Sequence, residues 1–186
     1  MRTFLSYDVE DRALSSKIGD LQDKLSATGA DLKLVNPEVL HFTIRFLGEI
    51  DEPTKEKVVQ AIEGNVKSLE LSVDFKGVGV FPNERRISVI WIGIDGASSR
   101  ALVENAREVN SKLEGMDSLH KDTHEEFNPH VTIARVRTGK NKEELARFVS
   151  EHRHDDFGSA KVSPLRLKLS ELLPSGPRYS DLHAFS

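Results

Sequence analysis

His41-Phe42-Thr43-Ile44-Arg45 and, nearly half the chain later, His130-Val131-Thr132-Ile133-Ala134-Arg135 are two copies of one pattern: histidine, an apolar residue, threonine, isoleucine. Of the seven histidines, these two alone are followed at the second position by threonine. In an extended strand alternate side chains share a face. Each copy read as a strand therefore sends its His-Thr pair to one side and its two apolar residues to the other. The apolar pair anchors the strand in a core, and the polar pair faces outward. Two such strands, one in each half of the chain, predict two halves that face each other across a cleft.

The segments around the two copies fit that plan. Arg2 to Val9 reads as a strand. A helix follows, with Leu14, Ile18, Leu21 and Leu25 at helical spacing and Gly29 as its stop. Leu32 to Val35 is a short apolar stretch, Pro37 interrupts, and Leu40 to Leu47 is the strand of the first copy. Asp51 caps a helix that has Pro53 in its first turn and buries Val58, Val59, Ile62 and Val66. Leu69 to Phe81 reads as a strand broken by Gly77 and Gly79. Pro82-Asn83-Glu84 is turn chemistry, and Arg86 to Ile94 is a strong strand. A helix from about Ser98 to Leu113 leads through a polar loop, Glu114 to Glu126, into the strand His130 to Val136 of the second copy. Lys142 to His152 is a short helix. Lys161 to Leu172 alternates as a strand, residues 174–177 turn, and Tyr179 to Phe185 is a short closing strand. Strands and helices mix without a βαβ rhythm, which predicts an α+β fold with largely antiparallel sheets.

Composition narrows the chemistry. The sequence holds 186 residues, 38% hydrophobic and 30% charged, consistent with one domain over 1–186 or two closely packed lobes. No apolar run approaches the roughly 18 residues that span a bilayer. The N-terminus turns acidic at Asp8, too early for a signal peptide, so a cytoplasmic protein is expected. The absence of cysteine excludes disulfides, thiolate nucleophiles and Cys-type zinc sites. The formal net charge of −4 argues against a grip on long nucleic acid and for a local grip on an end or a single phosphate. Neither a phosphate-binding P-loop nor a dinucleotide fingerprint is present.

Two imidazoles and two hydroxyls presented to one small anion suit phosphoryl transfer without a metal. Near neutral pH one imidazole can be neutral and take a proton from the nucleophile, while the other is charged and gives one to the leaving oxygen. Thr43 and Thr132 can donate to the non-bridging oxygens, where charge gathers.

The pair of motifs resembles the signature of the two-histidine phosphoesterase superfamily. Within it the chain is similar to the RNA 2′,3′-cyclic phosphodiesterases, also called 2′-5′ RNA ligases. The likeness runs through Arg2-Thr3-Phe4-Leu5, Pro37-Glu38-Val39-Leu40 before the first motif, and Phe46-Leu47-Gly48 after it. It continues through Phe81-Pro82 with Arg85-Arg86, the Trp91 strand, Phe127-Asn128-Pro129 before the second motif, Ser170-Glu171-Leu172 and Gly176-Pro177-Arg178-Tyr179. The resemblance implies two pseudo-symmetric lobes, each an antiparallel sheet with outer helices, around a central cleft. It implies hydrolysis of RNA 2′,3′-cyclic phosphate ends to 2′-phosphates, with reversible 2′-5′ joining of RNA ends, tRNA halves among them. It implies no metal, no cofactor and no membrane partner, and a monomer is expected. His41 and His130 are the expected catalytic pair. His130 is taken as base and His41 as acid, a choice that the sequence leaves open. Thr43, Thr132, Arg135 and Tyr179 are the expected substrate contacts. Two other functions remain: a non-catalytic module that binds RNA ends or nucleotides, and a phosphodiesterase of small cyclic nucleotides.

Arg135 is ambiguous, because strict alternation puts it opposite His130 unless a bulge turns it back. Arg45 shares parity with His41, and is read either as lining the cleft or, more simply, as solvated. Trp91 lies in so apolar a strand that core packing is expected over base stacking. Arg85 and Arg86 either hold RNA backbone or are merely solvated. His120, His124 and Glu125 have metal-ligand spacing but sit in a polar stretch that reads as loop. His152 and His154 read as a helix end, and His183 as structural.

Overall fold

The computed structural model describes residues 1–120, 127–174 and 176–186. Eight strands and four α-helices occur among them: β1 Arg2–Val9, α1 Arg12–Ser26, β2 Leu32–Leu34, β3 His41–Glu49, α2 Glu52–Ile62, β4 Ser72–Asn83, β5 Arg86–Ile94, α3 Gly96–Lys112, β6 His130–Val136, α4 Lys142–Glu151, β7 Asp156–Leu173 and β8 Gly176–Ala184. The α+β class and the antiparallel pairing are as expected. The order is β2-β6-β5-β4-β7-β1-β3, with β8 also on β7.

The long strand β7 joins the two halves. Its first residues, Asp156 to Lys161, pair with β4, and from Val162 onward it pairs with β1 and then β8. One half is β2-β6-β5-β4 with the start of β7; the other is β3-β1-β8 around the rest of it. The sequence suggested a strand only from Lys161, because Gly158, at φ +86, interrupts the alternation just before. Pairing with β4 nevertheless holds 156–160 extended. In a flat sheet, β6 and β3 would stand five strand spacings apart, roughly 24 Å. Their Cα atoms instead come within 8 Å, so the sheet bends back on itself.

Local chemistry accounts for most boundaries. Asp11 and Asp51 cap α1 and α2, accepting from Leu14 N at 2.8 Å and Thr54 N at 2.9 Å. The β4–β5 turn falls on Glu84-Arg85, slightly later than expected, because the Asn83 carboxamide accepts from the Arg85 and Arg86 amides at 3.0 and 3.2 Å. Behind the His-Thr face, α1 packs on β6 and β7, α3 on β3 and β4, and α4 on β4. One continuous core results, in which Phe42 of β3 stacks on Phe75 of β4 at 5.6 Å. Two buried polar side chains in it are well paired: Tyr7 donates to Asn105 Oδ1 at 2.9 Å and accepts from Leu69 N at 3.1 Å. Gln22 donates to the carbonyls of Val35 and Ile133 at 2.7 and 2.9 Å. No described helix is long and apolar enough to cross a membrane.

Candidate active site

β3 and β6 carry out the alternation that their sequences encode. Phe42, Ile44, Val131 and Ile133 are buried, whereas His41, Thr43, His130 and Thr132 are half-buried on the opposite side. Neither threonine hydroxyl has a hydrogen-bond partner among the described residues, so both remain available as donors.

The two imidazoles are held in the same way. A 3₁₀ turn over Pro37–Val39, capped by Asn36, brings the Val39 carbonyl 3.0 Å from His41 Nδ1. The Asn128 carbonyl lies 2.6 Å from His130 Nδ1. A carbonyl only accepts, so Nδ1 carries the proton in each ring, and in the neutral form Nε2 keeps its lone pair. Aromatic rings fix the planes. Tyr179 meets His41 edge-on at 5.1 Å, and Phe4 lies 5.2 Å away. Phe81 meets His130 edge-on at 4.9 Å, with Trp91 at 5.9 Å.

Burial is the main force lowering the pKa of both histidines. At His41 the Val39 bond and the Asp8 carboxylate oppose it, while Lys168 and the charge of His130 add to it. The charge on His130 thus bears on the protonation of His41. At His130 the Asn128 bond opposes burial and the Arg135 guanidinium adds to it. Burial likewise raises the Tyr179 pKa, against Arg135, Arg2 and Lys168, and keeps its hydroxyl protonated at neutral pH.

A bulge decides the fate of the two arginines. On β6, Thr132 faces Trp91 and Ala134 faces Ile90, which leaves Ile133 as an extra residue. Ile133 and Ala134 both turn into the core, and Arg135 returns to the side of His130 and Thr132. On β3, Thr43 faces Ser6 and Arg45 faces Leu5, so Ile44 is the extra residue at the same place in the motif. Here the switch turns Arg45 away. Its Nη1 donates to Asn110 Oδ1 of α3 at 2.8 Å, and Phe46 takes the cleft side, 6.0 Å from Phe4. Arg45 therefore neither lines the cleft nor stands solvated.

Trp91 also departs from expectation. Ile90 and Ile92 fill the core, so the opposite parity puts the half-buried indole on the side of His130. Arg85 and Arg86 are exposed at the β4–β5 turn. His152 bonds Asp155, three residues on, at 2.5 Å, His183 bonds the sequence-distant Glu63 at 2.7 Å, and His154 is exposed. His120 is exposed, and His124 and Glu125 lie outside the described residues. No group of three potential metal ligands occurs among the described residues.

Sequence reasoning did not single out the charges beside His41. Asp8, opposite His41 across the β1–β3 ladder, pairs with Lys168 and, at 3.2 Å, with Arg166. Arg166 also reaches Asp181 at 2.8 Å. The signal was an acidic residue inside a largely buried strand, but its cationic partners lie about 160 positions away in the chain.

A family model for the AKAP7 2′5′ RNA ligase-like domain matches residues 3–178. A Methanothermobacter thermautotrophicus protein named RNA 2′,3′-cyclic phosphodiesterase is 31% identical over 186 residues, covering 100% of this chain and 98% of its own. A Methanocaldococcus jannaschii protein of the same name is 35% identical over 179 residues, covering 96% of each. Among solved structures, TT0787 of Thermus thermophilus superposes with a TM-score of 0.76 at 25% identity over 100% of this chain and 97% of that one. Escherichia coli LigT complexed with 3′-AMP shares the fold, with a TM-score of 0.70 at 20% identity, over 100% of this chain and 97% of that one.

Proposed function

The chain belongs to the family of the AKAP7 2′5′ RNA ligase-like domain, and on that premise we propose that it is an RNA 2′,3′-cyclic phosphodiesterase with His41 and His130 as its catalytic pair. The observation that carries the residue assignment is the matched mounting of the two rings: each Nδ1 faces the carbonyl two residues earlier, and each Nε2 is left for chemistry. Nε2 of neutral His130 takes a proton from water as the water oxygen attacks phosphorus. The P–O3′ bond breaks, and Nε2–H of protonated His41 gives its proton to O3′, leaving a 2′-phosphate and a free 3′-hydroxyl. With the 5′-hydroxyl of a second RNA end in place of water, the same forward steps join the ends through a 2′-5′ linkage and free the 3′-hydroxyl, and their reversal re-forms the cyclic phosphate.

Charge supports this division of labour. Burial lowers both pKa values; at His41 the Asp8 carboxylate offsets part of that, against Lys168 and the charge of His130, whereas at His130 the Arg135 guanidinium adds to it. Thr43 and Thr132 donate to the non-bridging oxygens, Arg135 neutralises the phosphate, and Tyr179 closes the His41 side against the terminal nucleoside. The whole chain, 1–186, acts as one bilobal domain and as a monomer in the cytoplasm. It works on RNA ends, tRNA halves among them, and needs no metal.

The test is product analysis with a 2′,3′-cyclic nucleotide in EDTA. A 2′-phosphate product is expected, with a loss of about 10²- to 10⁴-fold in His41→Ala and in His130→Ala. Binding without any product would leave a non-catalytic module, activity abolished by EDTA would remove metal independence, and near-normal turnover in either variant would remove that histidine from the mechanism.

A further inference from the structure

Beside His130 the cleft opens into a groove of about 890 Å³, near the upper end of the roughly 300–1,000 Å³ typical of ligand pockets. It has room for more than one nucleotide. Asn128 and Pro129, which lead into His130, form one wall. The floor is Trp91 lying down on two glycines. A Cβ at Gly79 would overlap the indole, and one at Gly93 would stand 3.2 Å from it. Only glycine at position 79 lets the ring rest flat on the backbone, with Phe81 at 5.2 Å on its flank and its other side toward the groove. The indole Nε1 has no acceptor among the described residues, so packing alone holds the ring.

The lining carries three cations, Lys76, Arg85 and Arg153, against one carboxylate, Glu84. Lys76 is 3.6 Å from Asp95 and Arg153 pairs with Glu84, while the Arg85 guanidinium has no partner among the described residues. The flank beside His41 is different. That cavity is about 300 Å³, and its charges are closed on each other through Asp8–Lys168 and Arg166–Asp181. An anionic strand gains little there. A flat aromatic platform with basic groups along one edge is the arrangement that binds single-stranded nucleic acid, bases on the ring and phosphates on the cations.

We propose that the groove beside His130 is a strand-binding subsite for the single-stranded RNA that leads up to the reacting 3′ end, with one base stacked on Trp91 and backbone phosphates at Arg85, Lys76 and Arg153. The inference rests on the reading of the histidine pair as an RNA cyclic phosphodiesterase centre, and gives that centre its preference for a polynucleotide.

The test compares a 2′,3′-cyclic mononucleotide with a tetranucleotide ending in the same cyclic phosphate, using the full chain. The wild type is expected to favour the tetranucleotide in kcat/KM. Trp91→Ala cuts the ratio by about 5- to 100-fold, and Trp91→Phe keeps most of it. Arg85→Glu flattens the salt dependence of the tetranucleotide KM, by about 0.7 in log–log slope for each phosphate no longer neutralised. No length preference in the wild type, an unchanged ratio in Trp91→Ala and Arg85→Glu, or an equal loss on both substrates in Trp91→Ala would overturn the proposal. Trp91 is the only tryptophan, so a non-reactive tetranucleotide with a 2′-phosphate end should quench intrinsic fluorescence where the mononucleotide does not. Quenching without turnover of either substrate would sink the enzymatic reading and keep the subsite; absence of quenching would sink the subsite.

Discussion

Arg135 and Arg45 stand at the ends of two nearly identical peptides, yet the bulges give them opposite fates, and a matched pair of substitutions tests this. In Arg135→Gln the cleft loses a cation that bears on both His130 and Tyr179. A hydrogen bond to a charged group contributes about 1.5–3 kcal/mol, which as transition-state binding is about 10- to 150-fold in kcat/KM. The same change removes a charge that lowers the His130 pKa, so that pKa rises. A base must be neutral to act, so the acidic limb of the kcat/KM profile moves to higher pH. In Arg45→Gln the missing bond is to Asn110, behind the sheet. That variant should lose about 1 kcal/mol of stability, keep kcat/KM within about threefold and leave the acidic limb in place. The assay is the pH dependence of cyclic-nucleotide hydrolysis for both variants, with thermal melts to separate folding from chemistry. Equal losses of kcat/KM in two folded variants, or an acidic limb that moves with Arg45 and not with Arg135, would refute the parity switch.

Thr43→Val and Thr132→Val remove donors with no other engagement among the described residues. Each should lower kcat/KM by about 10- to 150-fold with little change in melting temperature, and a loss carried wholly by stability would contradict the assigned role. Tyr7→Phe leaves Asn105 Oδ1 and the Leu69 amide unpaired. It should destabilise the fold by about 2–3 kcal/mol in urea titrations, and a neutral result would show that these groups find other partners. Because His41 and His130 have folded pKa values below the ordinary 6.5, the unfolded chain binds protons there first. Their contribution to stability is therefore intact above about pH 7 and falls as pH drops through 6.5 toward the folded values. The urea midpoint should fall on acidification, and fall less in the His41→Ala/His130→Ala double variant; identical slopes would remove these rings as the cause.

The element order, the strand identity of both His-Thr segments and the core side of each were legible from residue order alone. Alternation and capping are local properties: Phe42, Ile44, Val131 and Ile133 mark the buried face wherever the strand ends up, and Asp11 and Asp51 cap their helices without knowledge of the rest of the fold. What lay beyond reach depends on partners distant in sequence. Residues 156–160 become strand because β4 is there to bond them, and the charges beside His41 meet only when β1 and β7 pair. The outward parity of Trp91 is encoded in β5, but that its ring lies flat depends on Gly79 standing opposite on β4. The bulges after Thr43 and Thr132 are a matter of register, two residues on one strand against one on its neighbour, and register is set between strands. Sequence thus determined which side chains could do the chemistry, whereas strand pairing decided that Arg135 joins them and Arg45 does not, because a single extra residue reverses the facing of everything after it.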